Sequence, residues 1–190
     1  SGLDFEKLIV KVAEVLEGLD IPYAITGGYA VSIWGKPRTT FDIDIVIELF
    51  RPKISALARA LRRISEIGYV DEGSMERAVE REGEFNFIHV DSGIKIDFWV
   101  AGRSKASQLE LKRRRLKTIA GKKIYFISPE DLILVKLKWS KDSVSEKQLG
   151  DVASIIKNQP KLDLRYIRKW ANIQSTAKVF ESLYNKVKAK

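Results

Sequence analysis

"FDIDIVIEL", residues 41–49, constrains this chain more than any other stretch. Its β-branched residues predict a strand, and side chains along a strand alternate between two faces. Asp42 and Asp44 therefore share one face, while Ile43, Ile45 and Ile47 share the other and point into the core. A carboxylate in apolar surroundings is costly unless it is paired or binds a metal. Two like charges on one strand repel unless a divalent cation sits between them. Oxygen ligands of this kind suit Mg²⁺, which keeps several waters and shares substrate phosphates.

A third acid has the right placement. In "GIKIDFWV", residues 93–100, Ile94, Ile96 and Phe98 form a core face, so Asp97 lies on the opposite one. Pairing of the two strands brings Asp97 beside Asp42 and Asp44. Three converging carboxylates can hold two Mg²⁺ or Mn²⁺ ions, activate a hydroxyl nucleophile and stabilise a leaving pyrophosphate. Upstream, the short strand "YAIT" (23–26) runs into Gly27-Gly28 and the helical "YAVSIW". A strand end, paired glycines and a helix start present backbone N–H groups at the positive end of a helix dipole, and glycine lets a phosphate approach closely. Gly27 and Gly28 are thus candidate phosphate-binding residues. Arg38, four residues before Asp42, suits either a phosphate or a surface acid.

The rest of the chain reads as follows. Residues 4–19 carry helical spacing. "RPKISALARALRRISEIG" (51–68) predicts a helix beginning near Pro52 and stopping at Gly68. Residues 71–83 are polar and predict a loop or ragged helix. Residues 84–90 and 94–100 predict a hairpin, and a charged stretch leads into a second strand pair turning at Ala120-Gly121. "SPEDLILVKLKW" is a helix with Ser128 as N-cap, Pro129 at its first position and acids in its first turn. From Ser143 onward the pattern is helical, with a break near Pro160. The expected architecture is α+β: a mixed sheet flanked by helices over 1–127, and a helical C-terminal region over 128–190.

Composition narrows the setting. No run of about 18 apolar residues occurs, so no membrane span is expected. The start, "SGLDFEKL", lacks the pattern of a signal peptide. Ser1-Gly2, without an initiating methionine, reads as a tag remnant outside the fold. The absence of cysteine excludes disulfides and thiolate metal sites and fits a cytoplasmic protein. A net charge of +9 suits an anionic partner such as RNA or nucleotides, or simply a lysine-rich solvated surface. The densest basic run, "KRRRLK" (112–117), is by default a solvated face that also suits an RNA backbone. His89 reads as structural. Trp99, on the face of Asp97, reads as core first and as a base-stacking platform second.

Taken together, a small apolar strand, Gly-Gly, a spacer, Asp-x-Asp and the later "KIDFW" resemble the nucleotidyltransferase superfamily with its polymerase-beta-like fold. "GKPRTTFDIDIVI" resembles small prokaryotic members, among them antibiotic nucleotidyltransferases and abortive-infection-type toxins, and "SPEDLILVKLKW" matches their late helix. The resemblance runs from about Ile21 to Ile156. It implies that Asp42, Asp44 and Asp97 bind Mg²⁺, that Asp97 helps activate the attacking hydroxyl, and that Gly27, Gly28 and Lys136 contact the triphosphate. Asp151 falls on an acid of the toxin-like branch; the second acid of that branch is replaced here by Gln148.

The implied activity moves a nucleoside monophosphate from a nucleoside triphosphate such as ATP to an acceptor hydroxyl on RNA, a tRNA end, a small molecule or a protein. A partner protein of a toxin–antitoxin pair and a homodimer are the protein partners considered, the C-terminal helices serving the acceptor or the dimer contact. The alternative is a non-catalytic nucleotide- or partner-binding module of antitoxin type. A nuclease using the same acids would not need the glycine pair.

Overall fold

The computed structural model describes residues 2–65, 67–142 and 146–190. Ser1, at the expected tag remnant, lies outside them, as do Glu66 and Ser143–Ser145 of the two expected helical stretches. The chain is α+β, with a six-stranded mixed sheet and, among the described residues, nine α-helices. It forms two compact units. One takes the chain up to Tyr29 and Thr39–Phe126; the other takes Ala30–Arg38 and Ile127–Lys190.

The first unit holds the whole sheet: β1 (Tyr23–Thr26), β2 (Asp42–Ile47), β3 (Glu84–His89), β4 (Ile94–Val100), β5 (Arg115–Ile119) and β6 (Lys122–Phe126), in the order β3-β4-β2-β1-β6-β5. β2 is antiparallel to β1 and parallel to β4. Ile43, Ile45, Ile47, Ile96 and Phe98 are buried, as their alternation requires. The helices α1 (Gly2–Gly18) and α3 (Ile54–Ile64) pack together and bury Leu8, Ile9, Val12, Leu16, Leu57 and Leu61. A 3₁₀ turn at Arg51–Lys53, containing Pro52, leads into α3.

One local outcome differs from the sequence pattern for a tertiary reason, and one open alternative is decided by a local cap. The helix α3 ends at Ile64 rather than at Gly68. The backbones of Tyr69 and Ile88 exchange hydrogen bonds of 3.2 and 3.1 Å, which draws the chain out of the helix and onto β3. Gly68 passes so near Phe87 that a β-carbon there would lie 2.6 Å from its ring. The polar stretch after Val70 is a true helix, α4 (Glu72–Arg81). Asp71 caps it, accepting from the Ser74 backbone N–H at 2.8 Å and from Ser74 Oγ at 2.7 Å. These bonds hold the Asp71 carboxyl below the usual carboxylate range. Met75 and Ala78 anchor the helix from its buried side.

On the face opposite the isoleucines, α5 (Lys105–Lys112) sets Leu111 against Ala24 and Val46, with Trp99 and Ala101 packed alongside. The basic run 112–117 follows directly and enters β5, an edge strand whose first four residues are exposed.

The second unit is helical: part of α2 (Gly27–Trp34), then α6 (Pro129–Asp142), α7 (Glu146–Asn158), α8 (Leu164–Ile173) and α9 (Ala177–Lys188). α6 packs on α7 and α8, and α9 packs on the same two, around Val152, Ile155, Ile167 and Phe180. The Trp34 indole N–H donates to the Ile127 carbonyl at 2.8 Å, and Gln159 Nε2 donates to the Trp34 carbonyl at 2.8 Å. Ser128 caps α6 as its sequence implies: its Oγ accepts from the Asp131 N–H at 3.1 Å and donates to Asp131 Oδ2 at 2.9 Å. Tyr166 Oη also donates to Asp131 Oδ1, at 2.5 Å, tying α8 to that cap. Among the described residues no helix is long and apolar enough to cross a membrane.

Candidate active site

The acid face of the first unit follows from strand register. β2 and β4 lie side by side and parallel, with Asp42 beside Lys95 and Asp44 beside Asp97. Thr26 flanks Asp44 from β1, and Asn86 flanks Asp97 from β3. Because residues two apart share a face, Asp42, Asp44, Lys95, Asp97, Trp99 and Asn86 all look out from one side of the sheet. Burial deepens across the set: Asp42 is exposed, Asp44 is half-buried and Asp97 is 9% exposed.

Each inner carboxylate is held by neutral donors. The Trp99 indole N–H donates to Asp44 Oδ1 at 3.3 Å, and Asn86 Nδ2 donates to Asp97 Oδ1 at 3.4 Å. Gly27 stands against Asp44 with φ at +66°, and a β-carbon at Gly27 would lie 2.1 Å from Asp44 Oδ2. Only glycine meets both conditions, the backbone angle and the clearance. Lys95 Nζ is 3.4 Å from Asp97 Oδ2. Asp97 first, with Asp42 and Glu84 adding, holds the Lys95 ammonium above the usual lysine pKa; partial burial acts in the opposite direction.

The donor set here is all oxygen, and carboxylates on adjacent strands suit Mg²⁺ or Mn²⁺. Asn86 and Trp99 bind the outer lone pairs and orient the acids, the usual service of residues behind a metal ligand. These residues fit a divalent cation by chemistry and by shared face. Among the described residues no three His, Cys, Asp or Glu side chains are gathered tightly enough to hold a metal ion as they stand.

Arg38 and Lys136 belong to the second unit, where both are bound to Asp151. Arg38 Nη1 and Nη2 donate to the two Asp151 oxygens at 2.7 and 3.3 Å, and Lys136 Nζ is 3.1 Å from Asp151 Oδ2. Asp151 is 5% exposed, so its charge is balanced by two cations in a largely dry setting. Of the two roles open to Arg38, pairing with an acid is the one present here. Trp99 is committed to Asp44 and to the Ala24, Val46 and Leu111 patch. His89 ends β3, with its Nδ1 2.7 Å from Ser92 Oγ in the turn that follows.

Sequence reasoning missed Lys95, Asn86 and the Gly27–Asp44 contact. The first was readable, since Lys95 is two residues before Asp97 and alternation puts it on the same face. Asn86 and the Gly27 contact depend on register between strands, which no local pattern states.

No protein-family model matches the sequence, nor does any curated protein sequence. Solved structures do match. The antibiotic-resistance factor ANT(2'')-Ia aligns over 100% of this chain and 97% of its own, with a TM-score of 0.60 at 15% identity. An antigenic nucleotidyltransferase-like protein from Paracoccidioides brasiliensis aligns over 97% and 94%, with a TM-score of 0.58 at 19% identity. The lincosamide antibiotic adenylyltransferase LnuA aligns over 75% and 90%, with a TM-score of 0.50 at 16% identity. The chain has the polymerase-beta-like nucleotidyltransferase fold.

Proposed function

We propose that this chain is a Mg²⁺-dependent nucleotidyltransferase that moves a nucleoside monophosphate from a nucleoside triphosphate to an acceptor hydroxyl. The observation that supports it most is the pairing of Asp44 with Asp97 on adjacent parallel strands, with Gly27 wedged against Asp44. An array of acids beside a glycine turn suits triphosphate chemistry better than a structural role, because buried carboxylates without such a use are costly.

In this reading Asp42, Asp44 and Asp97 hold the metal, which when bound withdraws charge from the phosphates and from the leaving pyrophosphate. Gly27 and Gly28 admit the triphosphate to the backbone. Asp97 takes the proton of the acceptor hydroxyl as its oxygen bonds to the α-phosphorus; the bond from that phosphorus to the β-phosphate oxygen breaks and pyrophosphate leaves. Trp99 and Asn86 keep Asp44 and Asp97 in their rotamers throughout. Arg38 and Lys136 are proposed as phosphate contacts on sequence grounds, with Asp151 orienting both. Residues 1–127 are taken as the catalytic core and 128–190 as the region serving the acceptor or a dimer contact.

The test is label transfer from each α-labelled nucleoside triphosphate with Mg²⁺, offering total RNA, aminoglycosides and cell protein in turn. Transfer that vanishes in Asp44→Asn supports the enzyme and names its acceptor class. Mg²⁺-dependent nucleotide binding without transfer to any acceptor argues for a binding module on the same fold. Neither transfer nor binding overturns the proposal. The toxin-type role, carried by the likeness of the late helix, requires that induced expression arrest growth and that Asp44→Asn relieve the arrest.

A further inference from the structure

We propose that Lys95 is the built-in counter-cation of the acid face, and that a divalent metal enters by displacing it. The inference rests on the reading of Asp42, Asp44 and Asp97 as metal ligands. Parallel register makes a two-by-two patch: Asp42 beside Lys95, and Asp44 beside Asp97. Neighbouring strands are about 4.8 Å apart, so Asp44, Asp97 and Lys95 lie close together, with Asp42 at the exposed edge of the patch.

The ammonium lies 3.4 Å from Asp97 Oδ2, the most buried acid of the set. An oxygen that ligates a divalent ion holds a lysine ammonium at the same distance far less favourably, since the two cations repel across it. Asn86 differs, because it is neutral and bonds the other oxygen, Oδ1. It can stay when metal arrives, whereas Lys95 is displaced. Its side chain is 45% exposed, so the long stem can swing to solvent at little cost. Lys95 thus offsets the charge of Asp97 in the metal-free protein and lowers the affinity with which metal replaces it.

The experiment is calorimetric titration of the full chain with Mn²⁺ alone, without nucleotide, for wild type, Lys95→Met, Lys95→Arg and Asp44→Asn. Lys95→Met is expected to bind Mn²⁺ about threefold to fivefold more tightly, after discounting the pair for solvent exposure. Lys95→Arg stays near wild type. In thermal melts without metal, Lys95→Met unfolds below wild type, and Mn²⁺ raises it by more. Equal or weaker Mn²⁺ binding in Lys95→Met, with binding still lost in Asp44→Asn, overturns the displacement and leaves the metal ligands standing. Binding that is absent, or indifferent to Asp44→Asn, overturns both readings.

Discussion

Gly27 meets Asp44 so closely that no side chain fits between them: a β-carbon would stand 2.1 Å from Asp44 Oδ2, and the backbone φ is +66°. Gly27→Ala is therefore expected to cost about 2 kcal/mol, through left-handed strain plus the push on Asp44. Urea unfolding measures it. Gly18→Ala is the control, because nothing lies within 4 Å of a β-carbon there; it stays within about 1 kcal/mol of wild type. Mn²⁺ binding falls only in the first variant. If Gly27→Ala matches wild type in both assays, the close approach has no functional meaning.

Trp99 serves two masters, the apolar patch of Ala24, Val46 and Leu111 and the Asp44 carboxylate. Trp99→Phe keeps most of the packing and removes the N–H donor. A hydrogen bond to a charged acceptor contributes ~1.5 kcal/mol to stability, so the melting temperature should fall by a few degrees, and transfer activity should fall with it as Asp44 loses its hold. Kinetics with saturating nucleotide decide it. An unchanged rate with a lowered melting temperature assigns Trp99 to the core alone.

How much of this was legible beforehand depends on the range of the interaction. Asp42 and Asp44 were assigned to one face by alternation, and Asp97 was expected beside them if the two strands paired, as they do in the register of β2 with β4. Ser128 capping α6 is equally local, written in four residues. Gly68 as a helix stop failed because the deciding contact, Tyr69 with Ile88, joins residues 19 positions apart. The partnership of Arg38 and Lys136 with Asp151 was illegible for the same reason. Their charges are visible in the sequence, but 113 residues separate Arg38 from Asp151, and the Lys136 contact depends on how α6 packs on α7. The Ala30–Arg38 segment likewise joins the unit of the C-terminal helices, which no composition shift announces.

Asp151 is the hinge of that second cluster, and its removal should be asymmetric. Asp151→Asn leaves Arg38 and Lys136 facing each other without their anion, and Lys136 is only 11% exposed. Breaking a buried pair in this way costs about 3 kcal/mol. Arg38→Gln costs less, because Arg38 is 32% exposed and Lys136 still balances the acid. Chemical denaturation of both variants gives the comparison. In nucleotide titrations Arg38→Gln and Lys136→Gln should raise KM more than they lower kcat, if the proposed phosphate contacts hold. Equal stability losses in the two Asp151-linked variants contradict the asymmetry.

The pH response turns on two phenols, Tyr23 buried and Tyr29 half-buried. Burial pushes the Tyr23 phenol from 10.0 up to about 12, with the Glu17 carboxylate adding and the hydrogen bond from the Tyr125 N–H opposing. Tyr29 is pushed up to about 12 by burial and then by Glu6. A phenol with a raised folded pKa is held in its neutral form by the fold. Its contribution to stability is complete below pH 10.0, the unfolded value, and is lost as pH climbs toward about 12. Melting temperature should therefore show no pH dependence from these groups between about pH 7 and pH 9 and fall beyond about pH 10. Tyr23→Phe removes one ionisation and makes that alkaline fall shallower, although the variant starts lower through loss of its bond to Tyr125. A fall of unchanged steepness in both Tyr23→Phe and Tyr29→Phe shifts the cause of alkaline unfolding to the lysines that carry the net charge of +9.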